Sequence, residues 1–485
     1  MDKESVIVLW LKKDLRASDH EALFQSIKLA NKNATKIIAL SIFEPSIEKS
    51  FDFHPRHWKW MIDSIKELTK KLPIHVYYQE VVQSFEEILK RYDVTRIISH
   101  QETGNDITYK RDKTVKKYLK SKNIPWKEYQ NNGVIRGLKS RNIWDKAWIH
   151  YMTRAQKEIL IDEKLFIPTV NEENILNLEK KYHSIKLPST PGEIEAKVQL
   201  NLFLDEKVND YFRYISQPDK SRYHTSRLSP YITYGNISIR QIWQTCAKEK
   251  NRIKNKMSIN QYMARLKWHC HFIQKLESEP EIEFRNLNSA FNNIRTRKDR
   301  KLIKAWEKGL TGYPLIDAAM RCVFETGFLN FRLRSTVVSF LTHHLWQPWQ
   351  EGAHFLARQF IDYEPGIHYP QFQMQAGTTG VNTIRVYNPV KQSLEKDKDA
   401  IFIKKWIPEL ANLPTNFIHE PWKLTPMEES MYDFEYGVDY PKKIVEIEQT
   451  GRHAREKLWS TLKSHSSKIN SKKILKRHTS RKGFV

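Results

Sequence analysis

Over the first ~130 residues the apolar positions fall into short runs: 6–10 (VIVLW), 36–43 (KIIALSIF), 74–78 and 96–99. Between them lie stretches such as 57–72 and 84–92, whose apolar residues recur at helical spacing. Short strands alternating with helices predict an α/β domain built on a doubly wound, Rossmann-like parallel sheet. From about residue 195 the period is helical throughout, with long amphipathic stretches at 259–276 and 337–346 and no alternating strand pattern. The expected organisation is an α/β domain over 1–135, a connector over 136–200, an all-α domain over 201–425 and a basic extension over 426–485. The connector opens on the loop-like Gly133-Val134-Ile135-Arg136-Gly137 and carries Pro188 and Pro191 near its end. Residues 452–485 hold eleven Lys/Arg against one acid, Glu456, the pattern of a solvated tail or a nucleic-acid arm. No internal repeat is visible.

Composition narrows the class. The net charge is +25 and the pI about 9.6, a balance that attracts polyanions, nucleic acid above all. Fourteen Trp is a high count for residues so demanding to place. Three cysteines, Cys246, Cys270 and Cys322, argue against a disulfide framework and cannot supply an all-cysteine iron–sulfur cluster. The opening Met1-Asp2-Lys3-Glu4-Ser5 has no signal-peptide character, and no apolar run reaches the ~18 residues that span a bilayer. A soluble, cytoplasmic monomer without a membrane partner is expected.

Some segments carry chemistry. Thr225-Ser226-Arg227-Leu228-Ser229-Pro230-Tyr231 sets hydroxyls and an arginine before a helical stretch, which suits a phosphate and equally suits a plain N-cap. Trp268-His269-Cys270-His271 is not a metal site, since neighbours on a helix point about 100° apart. His100 to Asn105 and Lys110-Arg111-Asp112 follow the fourth predicted strand, at the carboxyl edge where doubly wound sheets bind ligands.

The segment 306–341 (Trp-Glu-Lys-Gly-Leu-Thr-Gly-Tyr-Pro, then Thr326-Gly327-Phe328, Arg332-Leu333-Arg334 and Ser339-Phe340-Leu341) closely resembles the flavin domain of photolyases and cryptochromes. So do the segment from Thr225, the pair Ile361-Asp362, the run Arg385-Val386-Tyr387-Asn388-Pro389 and residues 402–410, in the expected order. Trp10-Leu11-Lys12-Lys13-Asp14-Leu15-Arg16 resembles the family's opening motif. The resemblance spans about residues 6–425 and implies an N-terminal antenna domain and a helical domain holding FAD in a bent form. It places Thr225, Ser226, Leu228 and Ser229 with the FAD phosphates, and Arg227 and Tyr262 among the cofactor-binding residues. It places Arg334 and Asp362 as an ion pair flanking the isoalloxazine, with Tyr363 and Glu364 beside them. An arginine there would stabilise reduced, anionic flavin. His368 matches the position facing flavin N5, where a histidine that titrates near neutral pH would gate flavin protonation. A second, antenna chromophore of folate or deazaflavin type is possible in the N-terminal domain.

The sequence departs from the family on the DNA side. Trp268 matches the tryptophan that stacks on an extruded pyrimidine dimer, but Arg265 stands where the family has a lesion-binding Glu. An arginine is no proton donor but pairs with a phosphate or a pyrimidine carbonyl. Phe331 replaces an Asn, Arg332 is kept, and Met374 stands in place of a second tryptophan. His269 and Gln392 complete the expected DNA-contacting set. The family's three-tryptophan electron route is also altered. Trp349 matches the middle member, Phe372 the flavin-proximal one, and no tryptophan stands near Thr296 for the outer one. Trp306 and Trp346 are candidate substitutes. The function implied is light-driven repair of ultraviolet photoproducts in DNA; the alternative is a cryptochrome-type light sensor without repair.

Overall fold

The structure is a computed structural model and describes residues 3–169 and 172–479. Five parallel strands, β1 (Ser5–Leu11), β2 (Lys36–Phe43), β3 (His75–Tyr78), β4 (Asp93–His100) and β5 (Trp126–Tyr129), form one sheet in the order β3-β2-β1-β4-β5. This is the doubly wound architecture expected. Central β1 is apolar from Val6 to Leu11 because both its faces are covered. Ile7, Leu9 and Leu11 pack with Leu23, Trp58 and Ile62 on one side. Val6, Val8 and Trp10 pack with Phe85 and Val115 on the other. The covering helices are α1 (Glu21–Asn33), α2 (Pro55–Leu68), α3 (Val81–Arg91) and α4 (Asp106–Ser121). The sequence pattern does not announce β5: an edge strand of four residues, WKEY, leaves no apolar run.

The remainder is helical. The helices that matter for the site are α5 (Trp144–Thr153), α6 (Lys256–Ser278), α7 (Phe331–Ser339), α8 (Trp349–Gln359), α9 (Pro365–Ala376), α10 (Ile447–Lys463) and α11 (His465–His478). α7 continues into a π-helical turn over Phe340–His344. The span 136–200 is more than a linker, since Trp144 and Trp148 of α5 share a core with Tyr231, Ile259 and Leu266.

The basic stretch from residue 452 is not a free solvated tail, one of the two forms expected of it, the other being a nucleic-acid arm. Through residue 479 it is α-helical, and Ala454, Leu458 and Ile474 are buried against the helical domain. Ala454 and Leu458, one turn apart, are the apolar stripe that the lysine count hides. Residues 480–485, with Arg481 and Lys482, lie outside the described residues.

The opening motif joins the domains. Leu15 N–H donates to the Tyr234 carbonyl at 3.1 Å, Asn236 Nδ2 donates to the Leu15 carbonyl at 3.0 Å, and Trp60 Nε1 donates to Asn236 Oδ1 at 2.9 Å. Gly235 has φ +68°, and a Cβ there would lie 2.4 Å from the Lys13 carbonyl oxygen, so only glycine allows this approach. No described helix is long and apolar enough to cross a membrane. The three cysteines are free and buried.

Candidate functional site

Helices α7, α8 and α9 and the loop before α9 enclose a pocket lined by Arg334, Asp362, Tyr363, Glu364, His368 and Phe372. Arg334 Nη2 donates to both carboxylate oxygens of Asp362, at 2.8 and 2.9 Å, and its Nε donates to the Leu329 carbonyl at 2.9 Å. The guanidinium also lies 3.9 Å from the Phe360 ring centroid. A planar cation held on three sides is pre-organised. Glu364 caps α9 by accepting from Gly366 N–H at 3.3 Å, and burial pushes its carboxyl up to about 7.

His368 lines this pocket but does not fit the expected role of a group titrating near neutrality. Burial pulls it down to about 4. Its Nε2 lies 2.8 Å from the Ala353 carbonyl oxygen, so Nε2 carries the proton and donates there. The ring is neutral, with Nδ1 left as an acceptor only.

The segment Thr225 to Ser229 leads into a short helix, Ser229–Thr233. Thr225 Oγ1 donates to the Ser221 carbonyl, and Ser226 Oγ accepts from Leu228 N–H at 3.4 Å. Arg227 sits in the left-handed region at φ +55°, its guanidinium 3.6 Å from the Phe328 ring centroid. Burial lowers Arg227 to about 10. Arg227 Nη1 is buried without a hydrogen-bond acceptor among the described residues, and the buried hydroxyl of Tyr262 lies against Ser226. A buried donor without an acceptor fits an oxygen-rich anion such as a dinucleotide diphosphate. The donor set of this domain therefore fits FAD.

Towards the surface, α6 presents Trp268, 43% exposed. Arg265, three residues earlier on the same face, lies 5.2 Å from the Phe331 ring centroid. Arg332 Nη1 donates to the Tyr387 hydroxyl at 3.0 Å. Met374 and Gln392 are partly buried, on α9 and on the helix Pro389–Lys396. Contacts thus join Arg265 to Phe331 and Arg332 to Tyr387, whereas none joins Gln392 to this group.

Trp349 Nε1 donates to Asn286 Oδ1 at 2.8 Å, and its ring lies 6.4 Å from Tyr369. Phe372 lies 4.7 Å from His368. Gly352 separates Phe372 from Trp306: a Cβ there would be 3.4 Å from Phe372 Cε1 and 3.3 Å from Trp306 Cη2. Trp306, Phe372 and Leu341 thus all approach Gly352. Trp346 instead stands between Arg295 and His453, at 4.5 and 4.9 Å.

A second cleft opens at the carboxyl edge of the sheet, lined by Trp10, Lys12, Glu44, Asp52, Asn105 and Arg111 among others. Most of its charges pair with each other or with groups just behind them, while Lys13, also in its lining, has no ion pair among the described residues. Arg111 lies 2.8 Å from both Glu44 and Asp112, Lys12 lies 3.1 Å from Asp112, and Arg136 lies 2.8 Å from Glu128. Tyr363 lines both this cleft and the pocket under α7, and its hydroxyl donates to Asp52 at 2.8 Å. Sequence reading located Lys12 and Arg111 but missed Glu44 and Asp52, which no local pattern marks.

Also missed was a buried triad, Asp14, His20 and His100, whose ligand-type atoms lie together. His20 Nε2 is 3.0 Å and His100 Nδ1 2.8 Å from Asp14 Oδ2. The other ring nitrogens accept from Leu23 N–H at 3.0 Å and Ala22 N–H at 3.4 Å. Both histidines therefore carry their protons toward Asp14 and cannot ligate a metal through those atoms. Burial would raise Asp14, but the two histidines hold it well below the usual carboxylate range. The triad is a structural brace beside the domain joint.

Residues 7–138 match the family described as DNA photolyase, and residues 262–460 match the FAD binding domain of DNA photolyase. The chain is 26% identical over 469 residues to a deoxyribodipyrimidine photo-lyase of Alkalihalophilus pseudofirmus, covering 92% of this chain and 96% of that one. It is also 26% identical to a cryptochrome DASH of Gloeobacter violaceus, over 95% of this chain and 96% of that one. An archaeal photolyase structure from Sulfolobus tokodaii, described with two FAD molecules, superposes with a TM-score of 0.76 at 24% identity, covering 94% of this chain and 100% of that one. With both the sheet domain and the helical domain matched, the chain belongs to the FAD-binding photolyase/cryptochrome family.

Proposed function

We propose that this protein repairs ultraviolet-induced pyrimidine photoproducts in DNA by light-driven electron transfer from reduced FAD. The observation that carries the reading is the juxtaposition of an exposed Trp268 and a cationic Arg265–Phe331 pair with the helix that also bears Arg334. FAD, when bound, supplies the light absorption and the donated electron. The residues of this chain do the rest. Arg227, Ser226 and Tyr262 hold the diphosphate. Arg334, fixed by Asp362, offers positive charge beside the ring system, and Phe360 and Phe372 help to keep that wall dry. Trp268 offers a face on which an extruded base stacks, worth about 1–3 kcal/mol. Arg265 and Arg332 pair with phosphate or base oxygens of the damaged strand.

A second reading, a light sensor of cryptochrome type without repair, is supported by the rebuilt surface. Arg265, Phe331 and Met374 stand where a dimer photolyase has other residues. The test is illumination of the reduced protein with ultraviolet-damaged oligonucleotides, following loss of cyclobutane and (6-4) lesions. Loss of either lesion supports repair. Persistence of both, with light-dependent flavin spectra intact, supports the sensor. The cleft at the sheet edge is proposed to hold a second chromophore, a reading that a spectrum of the purified protein tests.

A further inference from the structure

We propose that α11, together with the outer face of α10, is a second phosphate-contacting surface that grips duplex DNA beside the Trp268 side. This rests on DNA being the partner, as proposed above. α11 lies beyond residue 460, where the family match ends.

The helix carries Lys468, Lys472, Lys473, Lys476 and Arg477, all exposed, and no acidic residue. Among the described residues none of the four lysines makes an ion pair, and Arg477 has Glu279 at 3.7 Å. α10 adds Arg452, Arg455, Lys457 and Lys463, also exposed and without ion pairs among the described residues. Lys468, Lys472 and Lys476 recur every fourth position on one face. Like charges at that spacing destabilise a helix by a few tenths of a kcal/mol per pair, a cost that a polyanion relieves.

This helix is anchored at both ends. Fully buried Asn288 donates through Nδ2 to the Ser467 carbonyl, Ser467 Oγ and Ser471 Oγ, each at 3.2 Å. Ser471 Oγ donates in turn to the Gly380 carbonyl at 2.8 Å. Gly380 has φ +69°, and a Cβ there would lie 2.1 Å from Asn288 Nδ2, so the docking requires glycine. At the other end His478 Nε2 lies 2.7 Å from Glu279 Oε2, and Arg477 donates to the Ser278 carbonyl. Cations on a fixed helix lose less entropy on binding than cations on a free tail.

The anchors also set its place. Arg141 donates to the His478 carbonyl and, through Nη2, to the His271 carbonyl at 3.1 Å. His271 is one turn from Trp268 on α6. Leu458 of α10 lies against Gly377, which ends α9 three residues after Met374. The basic pair therefore borders both helices that carry proposed DNA-contacting residues. A lipid surface fits less well. The exposed apolar residues of α11, Ile469 and Leu475, are six positions apart and about 240° around the helix, so they form no stripe.

The test replaces Lys468, Lys472, Lys473 and Lys476 by Gln in the full chain and measures binding to a 30-base-pair duplex, damaged and undamaged, across a salt series. Each lysine that touches a phosphate contributes about 0.9 to the slope of log affinity against log salt. The expected result is a slope shallower by about 2–4, affinity at low salt reduced tenfold or more, and an unchanged FAD content and damaged-to-undamaged ratio. Single changes Lys472→Gln and Lys476→Gln, which leave the anchors intact, should each lower the slope by about 0.9 and guard against a folding defect in the quadruple variant. An unchanged slope in all variants overturns the inference. So does binding of the parent to phosphatidylserine vesicles through these lysines with DNA binding unaffected. If the parent itself binds DNA without salt dependence, or not at all, the reading of DNA as partner fails first, and that outcome is seen before any variant is made.

Discussion

The pocket of the helical domain and the cleft at the sheet edge are built from the same residue types and balance charge in opposite ways. At the sheet edge Lys12, Arg111 and Arg136 face Glu44, Glu102, Asp112 and Glu128, and the groups satisfy one another. In the helical domain one pair, Arg334 with Asp362, is complete, whereas Arg227 Nη1, on the segment before the Ser229–Thr233 helix, has no acceptor among the described residues. A cleft whose ions are mutually paired selects its occupant by shape and apolar walls. A domain that keeps a buried guanidinium nitrogen without an acceptor is suited to an oxyanion. The two cavities meet at Tyr363, whose ring lines both.

The largest expected effect breaks the self-sufficient side. Arg111→Ala leaves buried Glu44 without a cation and Glu102 and Asp112 with Lys12 alone, so folding stability should fall by about 3–5 kcal/mol. Chemical denaturation measures it, and the flavin spectrum of the remaining folded protein should be unaltered. A loss below 1 kcal/mol would mean that the network relaxes around the vacancy.

Next, Arg334→Ala strikes the side that depends on its ligand. It strips Asp362 of its partner and should weaken FAD retention about 100-fold, or about 3 kcal/mol, read by flavin release during dilution. Arg334→Lys should recover only part, because an ammonium cannot donate to Asp362 and to the Leu329 carbonyl at once as Nη2 and Nε of the guanidinium do. Full retention of FAD in both variants would contradict the division between the two cavities.

Glu364 gives the contrast a pH dependence. Burial raises its carboxyl to about 7 from an ordinary value near 4.5. The unfolded chain therefore ionises first as pH rises, and the folded state loses stability between about pH 4.5 and 7. Above that window the penalty is constant at about 3 kcal/mol. Glu364→Gln should remove it, so the variant gains on the parent as pH climbs from 5 to 8 in thermal unfolding. Parallel curves for the two proteins would place Glu364 in water.

The smallest expected effect lies at the surface. Arg265→Ala should lose about tenfold in affinity for damaged over undamaged DNA, since a charge-assisted bond is worth about 1.5–3 kcal/mol and 1.4 kcal/mol is tenfold. Its flavin spectrum should not change. Equal discrimination in parent and variant would favour the sensor reading.

Much of this was legible along the chain. The apolar runs of β1 and β2 and the helical period after residue 195 announced the two architectures, because burial on both faces or on one stripe writes itself into spacing. Arg334 and Asp362 were legible as a pair through the ordered motifs around them. The short polar edge β5 was not, since its four residues pair on one side only and need no apolar pattern. The C-terminal helices were read as a tail because lysines dominate their count, while docking rests on a few residues, Leu458, Ile474 and the serines facing Asn288.

By itself, then, the sequence determined the two kinds of domain, the flavin-type motif order and the excess of positive charge, which are properties of residues near one another in the chain. Only the tertiary structure decided the protonation of His368, since burial and the Ala353 carbonyl come from a different helix. Only it decided that Asp14, His20 and His100 brace one another and not a metal, because the deciding hydrogen bonds run to backbone groups of α1. Electrostatic environment is set by what surrounds a group in three dimensions, and a linear pattern carries that information only where the neighbours are local.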